Sequence, residues 1–241
     1  MSEQDKLRGR FTPRALLARY RNWKGVKTLR ADNVLIDVDP DFLPDHLRIR
    51  LLKGRYELPE RKLAGKYLSR GERVLEIGCG IGVVSTVITS ICGEGNVHSF
   101  EANTELEPFI RRNYELNGWT PDLTMKAVSL SGEDIVFHQA GNVISSSLIK
   151  RENNSREVVV QSVAISRLLD QLKPDVVVMD VEGAECELLG ATQLPGVSKL
   201  LIELHPQVVG ETAIGDLLSG LAEKGFRKVA EVKDVAYLER R

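Results

Sequence analysis

The sequence predicts a doubly wound α/β fold in which a mostly parallel sheet carries an antiparallel hairpin at its C-terminal edge. From Arg73 onward, short apolar runs alternate with longer segments of helical periodicity, as in successive β-α-β units. The apolar runs are continuous in Val, Ile and Leu, which is typical of strands covered on both faces. A glycine-rich turn directly follows the first run, at the position where open α/β sheets bind ligands.

The predicted elements follow one another along the chain. Strands are predicted over 74–77, 97–100, 123–128, 176–180 and 200–204, and helices over 82–91, 104–117, 165–172, 183–191 and 211–224. The terminal hairpin is predicted from 227–232 and 235–239, and a second strand-like pair from 135–138 and 158–163.

Length and composition are those of an ordinary globular protein. The chain has 241 residues, of which 42% are hydrophobic and 28% charged. No apolar run approaches the roughly 20 residues of a membrane-spanning helix, and the N-terminus is charged where a signal peptide would be apolar. The cysteines, Cys79, Cys92 and Cys186, indicate neither a disulfide framework nor a zinc site. We therefore expect a cytoplasmic protein with one domain over residues 54–241 and an N-terminal extension over 1–53.

The glycine-rich turn indicates the type of cofactor. The first predicted strand runs into Gly78-Cys79-Gly80-Ile81-Gly82, and glycine suits a turn where a ligand lies against the backbone. The dinucleotide fingerprint would need glycine at position 83, where the chain has Val83. Glu76 is unfavourable beside a pyrophosphate but favourable beside an ammonium group, such as that of the methionine part of S-adenosylmethionine. The charge of this segment thus favours S-adenosylmethionine over NAD.

The second and third predicted strands end in candidate adenosine contacts. Glu101 can accept hydrogen bonds from both ribose hydroxyls, and the alternative is a solvated carboxylate or a helix cap. Ala102 and Asn103 follow where an adenine edge would lie. Lys126 and Ala127 end the third strand on the other side of the same pocket.

Carboxylates follow the fourth predicted strand. Asp180-Val181-Glu182-Gly183-Ala184-Glu185 places three of them at the carboxyl edge of the sheet, next to the glycine turn. Asp180 and Glu182 are the stronger functional candidates. Glu185 is a candidate for substrate contact, with an acidic first helical turn favoured by the helix dipole as the alternative.

Several strings resemble the FkbM family of methyltransferases over roughly residues 54–206, within the Rossmann-like class I methyltransferase fold. They are GRYELPE near Tyr56, VLEIGCGIG, VHSFEANTELEPFIRRNYELNGW, AVSLSG, SSSL, MDVEGAECELLGA and LLIELHP, and the last two are the more specific. The family usually has D-x-G-A-N-x-G where this chain has residues 76–82, and F-E-P-N-P where it has residues 100–104. Cofactor binding is compatible with both departures, while the acceptor stays open.

The resemblance implies an S-adenosylmethionine-dependent O-methyltransferase that modifies a hydroxyl of a sugar, glycan or natural-product-like small molecule. The cofactor contacts expected on this basis are Tyr56, Glu57, Glu76, Gly78, Cys79, Gly80, Gly82, Glu101, Ala102, Asn103, Lys126, Ala127 and Asp180. Nucleic acid is a weaker acceptor class, because DNA and RNA amino-methyltransferases commonly end the fourth strand with a D/N-P-P-Y/F string that residues 180–183 do not resemble.

Methyl transfer from a sulfonium is an in-line displacement, so the protein mainly aligns the acceptor oxygen and excludes water. An alcohol must also lose its proton, and the candidate bases are Asp180, Glu182 and His205. For His205 the alternative is a strand-end histidine without a catalytic part. No metal ligand is predicted, and a magnesium ion held by Asp180 and Glu182 is the alternative.

The polar stretch from 141 to 156 contains Ser145, Ser146 and Ser147 and is long for a connection in a compact domain. We predict that it is a mobile lid in which Ser145 and Ser146 contact the acceptor.

The N-terminal segment is basic, with nine Lys and Arg against two acidic residues over positions 1–30. Thr12-Pro13 is typical of a helix start, and Leu16, Tyr20 and Trp23 fall on one face of the helix that follows. Such a helix can lie on an anionic membrane. The favoured alternative is a helix packed on the domain or in a homodimer interface.

Two other functions compete with methyl transfer. A nucleotide-binding oxidoreductase or epimerase would need the third fingerprint glycine and a Tyr-x-x-x-Lys pair, which the domain does not have. A non-catalytic S-adenosylmethionine-binding protein would share every feature described above.

Overall fold

The computed structural model describes residues 12–139, 146–147 and 156–240. Its helices and strands, in chain order, are α1 (Pro13–Trp23), β1 (Thr28–Ala31), β2 (Val34–Asp37), α2 (Asp45–Leu52), α3 (Leu58–Tyr67), β3 (Val74–Ile77), α4 (Val83–Cys92), β4 (Val97–Phe100), a 3-10 turn (Thr104–Leu106), α5 (Glu107–Leu116), β5 (Asp122–Thr124), β6 (Ala127–Ser129), β7 (Ile135–Gln139), β8 (Ser146–Ser147), β9 (Arg156–Val160), β10 (Ser162–Ala164), α6 (Ile165–Leu172), β11 (Val176–Met179), α7 (Glu185–Ala191), β12 (Lys199–Glu203), α8 (Pro206–Val209), α9 (Glu211–Glu223), β13 (Phe226–Val232) and β14 (Val235–Arg240).

A seven-stranded sheet of order β13-β14-β12-β11-β3-β4-β5 forms the centre of the fold. The five strands from β12 to β5 pair in parallel, while β14 is antiparallel to β12 and β13 is antiparallel to β14. The predicted doubly wound sheet with an antiparallel C-terminal hairpin is therefore confirmed. Because the chain leaves β3 toward β4 and β5 and returns on the other side at β11, the topological switch point lies between β3 and β11, where such sheets bind ligands.

Both faces of the sheet are covered, which explains the continuous apolar character of its strands. On one face, Leu75, Val177 and Leu200 pack with the buried side chains of α6, α7 and α9. On the other face, Val74 and Val178 pack with α3 and α4. Successive residues of each strand thus point to opposite layers of the core.

Two predicted strands are each divided in the structure. The segment 123–128 forms β5 and β6, because the Lys126 amide donates to the Thr124 carbonyl at 2.9 Å and turns the chain. The pair predicted from 135–138 and 158–163 is present as β7 and β9, but the end of the second segment belongs to β10, which pairs in parallel with β6.

Two predicted helices begin later than expected. In the segment 183–191 the helix starts at Glu185, since Glu182 and Gly183 have positive φ angles of 55° and 114°. In the segment 104–117 a 3-10 turn precedes α5.

The described part of the N-terminal extension packs on the domain. Val34, Ile36 and Leu47 share a buried cluster with side chains of α4 and α5. Asn117 of the connection after α5 bonds to both the amide and the carbonyl of Leu35, each at 2.8 Å. Strand β2 and helix α2 are thereby attached to the sheet's helical layer.

Helix α1 begins as predicted, with Thr12 Oγ1 accepting from the Ala15 amide at 3.3 Å. It packs against α2, and its Ala18 shares a buried cluster with side chains of α2. Its larger apolar side chains stay exposed, and we name Leu16, Tyr20 and Trp23 the α1 face; they are 50%, 55% and 77% exposed.

The predicted lid over 141–156 lies outside the described residues, apart from Ser146–Ser147, which form β8 against β7, and Arg156 at the start of β9. Ser145 is not described, so its acceptor contact stays a prediction. Within the described ranges, no helix has the length and apolarity needed to cross a bilayer.

Candidate active site

A cavity of about 350 Å³ lies at the carboxyl ends of β3, β4 and β11, at the topological switch point. Carboxylates make up much of its wall: Glu57, Glu60, Glu101, Asp180, Glu182 and Glu203. We name four of these, Glu57, Glu60, Asp180 and Glu203, the acidic floor. Basic side chains, Arg50, Arg55, Lys126 and Lys233, also line the cavity.

The three glycines of the turn serve different purposes. A Cβ on Gly78, whose φ is +80°, would lie 1.8 Å from the Asp180 carbonyl oxygen, so this glycine allows β3 and β11 to approach. A Cβ on Gly82 would lie 3.0 Å from Ile110 Cα, so this one allows α4 to pack on α5. Gly80, with a φ of +55°, faces the cavity. The predicted reason for glycine, close approach of a ligand, thus fits Gly80 best.

Glu101 is fixed beside the glycine turn. Its Oε2 accepts from the Gly80 amide at 2.9 Å, and its Oε1 accepts from the Asn103 amide at 2.8 Å. Burial raises the pKa of this carboxyl, and the backbone amides oppose that rise. Each carboxylate oxygen has a second lone pair, so both can still accept a ribose hydroxyl. The other predicted adenosine contacts, Ala102, Asn103, Lys126 and Ala127, line the same cavity.

Tyr56 and Glu57, two of the predicted cofactor contacts, lie beside Gly80 and line the cavity. A Cβ on Gly80 would be 3.4 Å from Glu57 Oε1 and 3.7 Å from the Tyr56 hydroxyl. Glu57 precedes α3 in a left-handed conformation, with a φ of 45°, which a non-glycine residue adopts only when its surroundings enforce it. Burial raises its pKa well above the ordinary range, and its Oε2 has no hydrogen-bond partner.

Glu76 and Cys79 do not reach the wall of the main cavity. Glu76 is 1% exposed and accepts from Ser99 Oγ at 2.5 Å, and burial raises its pKa to about 7. The predicted partner of the cofactor's ammonium group is therefore enclosed between strand and helix, with a donor of its own. Glu60 and Glu203, which sequence reasoning missed, face the main cavity instead.

The missed carboxylates had sequence signals. Glu60 lies in the string GRYELPE, and Glu203 interrupts the apolar run of the fifth strand just before His205. A carboxylate at the carboxyl end of a buried parallel strand belongs to the same sheet edge as Asp180, so Glu203 could have been included on topology alone.

The acidic floor concentrates negative charge. Burial, with the charge of Glu203 adding to it, raises the pKa of Asp180 well above its ordinary value. Burial likewise raises the pKa of Glu60 to about 7. Atom Oδ1 of Asp180 and atom Oε2 of Glu60 are buried without a hydrogen-bond partner. The floor is thus suited to a positively charged ligand.

His205 lies beneath this floor. Its Nδ1 is 2.7 Å from Oε1 of Glu185, while its Nε2 lies 3.6 Å from both Asp180 Oδ1 and Glu182 Oε2. Burial lowers the pKa of His205, but the hydrogen bond and charge of Glu185, with Glu182 and Glu203, outweigh it and leave the pKa raised. His205 is 3% exposed and does not line the cavity.

Glu185 is fully buried, and the structure does not bring it to the cavity wall. Besides His205, it accepts from the amides of Val181 and Gly183, at 3.2 and 3.3 Å. It therefore orients the histidine and the turn after β11 instead of facing an acceptor.

The family model for the methyltransferase FkbM domain matches residues 76–228. The chain belongs to the FkbM methyltransferase family. It is an S-adenosylmethionine-dependent methyltransferase, and the predicted resemblance, fold and cofactor are confirmed. The family match contains the glycine turn, Glu101, Asp180 and His205, while Tyr56 to Glu60 precede it.

Several solved methyltransferases are similar to the chain at low identity. TYW2 of M. jannaschii, in complex with AdoMet, is 15% identical, with a TM-score of 0.45 over 89% of this chain and 86% of that one. Magnesium protoporphyrin IX methyltransferase of Synechocystis PCC 6803, with bound SAM, is 12% identical, with a TM-score of 0.47 over 100% and 98% of the two chains. Ribosomal protein L11 methylase of Lactobacillus delbrueckii subsp. bulgaricus is 13% identical, with a TM-score of 0.47 over 78% and 80%. These similarities are too distant to indicate an acceptor, and no curated protein sequence matches the chain significantly.

The cavity of this FkbM-family chain fits S-adenosylmethionine. Buried oxygens of Glu57 and Asp180 without hydrogen-bond partners suit the positively charged methionine end, and Glu101 suits the ribose. A pyrophosphate would meet strong repulsion from the same carboxylates, which disfavours the dinucleotide alternative.

Proposed function

We propose that this methyltransferase transfers the methyl group to a hydroxyl oxygen of a sugar, glycan or natural-product-like small molecule. The observation that carries the proposal is the convergence of Asp180 and Glu182 on His205 Nε2, each at 3.6 Å, at the edge of the cavity beside the glycine turn. A hydroxyl acceptor must lose a proton, and a carboxylate at the place of methyl transfer can take it.

Within this group we assign Glu182 as the base. Its side chain is 39% exposed and lines the cavity, so it can reach an acceptor oxygen. In the turn after β11, Glu182 has a backbone φ of 55°. A non-glycine residue adopts this conformation only when the surrounding structure enforces it. Buried His205, held by Glu185, is then a positioning residue that keeps Glu182 and Asp180 at the cavity edge.

The protein's other contributions are binding and exclusion of water. S-adenosylmethionine supplies an activated methyl group on a sulfonium. Glu101 holds the ribose side, while Glu57 attracts the positively charged end. Arg50, Arg55 and Lys233 also line the cavity, and they favour an acceptor that carries negative or strongly polar groups.

Mass spectrometry after incubation with S-adenosylmethionine and a panel of sugars, glycosides, polyhydroxylated natural products and matched amines tests the acceptor class. We expect methylation of hydroxyls only, and kcat reduced about 100-fold or more in Glu182→Gln with unchanged cofactor affinity. Glu187→Gln, an exposed carboxylate on α7, is the matched control. Methylated amines without methylated hydroxyls, or full kcat in Glu182→Gln, would contradict the assignment.

We also propose that the α1 face binds an anionic membrane surface. The cytoplasmic location of the protein stays a prediction. Six Lys and Arg, and no acidic residue, occur over positions 12–30, and Lys24 Nζ lies 5.2 Å from the Trp23 ring. Exposed aromatics among basic side chains suit the boundary of anionic lipids. A homodimer through this face would bring two like-charged surfaces together, which disfavours that alternative.

Sedimentation with phosphatidylcholine vesicles, with or without about 30% phosphatidylserine, tests the membrane proposal. We expect binding only to the anionic vesicles, loss in the double variant Tyr20→Ser with Trp23→Ser, and release by salt. Equal binding of the double variant would show that the α1 face is not responsible.

A further inference from the structure

Three carboxylates from three separate elements converge at the acidic floor. Glu60 belongs to α3, Asp180 follows β11, and Glu203 ends β12. In the part of the chain that the structure describes, none of the three forms an ion pair with a lysine or arginine. Grouping carboxylates in a partly buried place without a lysine or arginine costs free energy, so this arrangement favours a positive partner from outside the chain.

Glu60 gives independent support for a ligand at this place. It is 7% exposed, and its Oε2 has no hydrogen-bond partner. A small cavity of about 20 Å³ adjoins Glu57, Glu60, Asp180 and Glu203. Such a volume holds one water molecule or one ion.

His205 has the environment of a metal-binding histidine. Its Nδ1 is engaged by the fully buried Glu185 at 2.7 Å, which leaves Nε2 directed at Asp180. Metal-bound histidines almost always donate their second ring N–H to a carboxylate or a carbonyl, because this fixes the ring and its tautomer.

We propose that Asp180, Glu203 and His205 bind one divalent transition-metal ion. One candidate ligand atom from each residue can be chosen so that all lie within 4.8 Å of one another. Ligands of a shared ion at about 2.0 to 2.2 Å lie up to about 4.4 Å apart, so small side-chain rotations close the site. One imidazole nitrogen and two carboxylates favour Mn²⁺, Fe²⁺ or Zn²⁺ over Ca²⁺. Glu60 then accepts from a metal-bound water.

The ion would lie next to Glu182, where it could hold the acceptor hydroxyl. Only this last assignment rests on the proposed O-methylation, since the metal site itself is argued from the floor's own side chains. Two other occupants of the floor are protons shared among the carboxyls and the ammonium group of the cofactor, and the experiment distinguishes them from a metal ion.

The test is titration of the chelator-treated full chain with Mn²⁺ alone, without cofactor, followed by electron paramagnetic resonance. We expect one bound Mn²⁺ per chain and an affinity reduced about tenfold or more in Glu203→Gln and His205→Gln. Glu187→Gln should bind Mn²⁺ like the wild type. Pulsed measurements should show coupling to an imidazole nitrogen that disappears in His205→Gln. Absence of binding at about 1 mM Mn²⁺, or equal affinities in all chains, would overturn the proposal.

Circular dichroism and calorimetry with S-adenosylmethionine in the presence of chelator establish that each variant is folded. If Glu203→Gln does not fold, the nitrogen coupling in the wild type and its loss in His205→Gln decide the question. Cofactor binding without Mn²⁺ binding would overturn the metal site and leave the methyltransferase assignment intact. Mn²⁺ binding without methylation of any hydroxyl would overturn the proposed acceptor class and leave the metal site intact.

Discussion

The acidic floor and the α1 face depart in opposite directions from the usual pattern of buried apolar and exposed polar side chains. At the floor, Glu60 and Asp180 have buried oxygens without hydrogen-bond partners, whereas on α1 the side chain of Trp23 is 77% exposed. Folded proteins rarely bury unpaired carboxylates, and they rarely leave several large apolar side chains together in water. Each region is costly in the isolated chain, so each indicates an external partner: a cation at the floor and an apolar surface at α1.

The same comparison separates two kinds of buried acid. Burial raises the pKa of Glu76 and of three floor carboxylates, Glu57, Glu60 and Asp180. Glu76 accepts from Ser99 at 2.5 Å, whereas each of those three has a buried oxygen without a hydrogen-bond partner. A raised pKa alone therefore does not identify a binding residue. The position at the cavity wall and the missing hydrogen-bond partner do.

The largest effect is expected for Gly78→Ala, which would separate the two strands that bring Asp180 to the floor. The new Cβ would lie 1.8 Å from the Asp180 carbonyl oxygen, on a backbone with a φ of +80°. We expect a loss of more than about 4 kcal/mol in the free energy of unfolding, measured with denaturant. Gly95→Ala is the control, because Gly95 has a φ of +82° with nothing within 4 Å, and it should lose only about 1 kcal/mol. Equal losses would show that backbone strain, not the approach of β3 to β11, explains Gly78.

The next effect concerns Glu76→Gln, which keeps the shape of the side chain and removes its charge. Burial raises the folded-state pKa of Glu76 from 4.5 to about 7, so the folded state binds more protons than the unfolded state between these values. Wild-type stability therefore falls as the pH rises from 4.5 to 7 and stays at the lower level above it. We expect Glu76→Gln to be more stable than the wild type by up to about 3 kcal/mol at pH 8, and similar to it at pH 4.

Denaturant unfolding at the two pH values measures the effect of Glu76→Gln on stability. Calorimetry measures its effect on the affinity for S-adenosylmethionine. If the floor receives the ammonium group, Glu76→Gln binds S-adenosylmethionine as tightly as the wild type. A large loss of affinity would instead support the sequence-based assignment of Glu76 as the cofactor's partner.

Glu101→Ala should weaken S-adenosylmethionine binding by about 1 to 3 kcal/mol, because ribose hydroxyls lose their acceptor and the Gly80 amide loses its 2.9 Å bond. Calorimetry measures this loss. Glu105→Ala, an exposed carboxylate in the following 3-10 turn, should bind the cofactor normally. Wild-type affinity in Glu101→Ala would remove the ribose assignment.

The sheet could be predicted from the sequence because its strands are short, apolar and separated by helices. Each parallel strand was placed within a residue or two at its ends, except where the turn at Lys126 divides β5 from β6. That turn depends on one backbone hydrogen bond, which no pattern of apolar residues reveals.

The site was predicted only in part, because sequence places a residue on an element but does not say which way its side chain points. Glu101 and Asp180 reach the cavity since they follow the carboxyl ends of strands, where the chain turns over the switch point. Glu76 lies within β3, and its side chain is enclosed beside Ser99. Glu60 comes from α3, which precedes the sheet, so only tertiary packing brings it to Glu203.

The smallest effect is expected on the α1 face. Trp23→Ser should change the free energy of unfolding by less than about 0.5 kcal/mol, because a side chain that is 77% exposed loses little contact on truncation. Leu47→Ala in α2, where Leu47 is 1% exposed, should cost about 2 to 5 kcal/mol in the same experiment. A loss above about 1 kcal/mol for Trp23→Ser would mean that something covers the face in solution. If that loss grew with protein concentration, a second copy of the chain would be the cover, and the homodimer alternative would replace the membrane proposal. If it did not depend on concentration, a segment of the same chain would cover Trp23, and the contrast between the α1 face and the acidic floor would no longer hold.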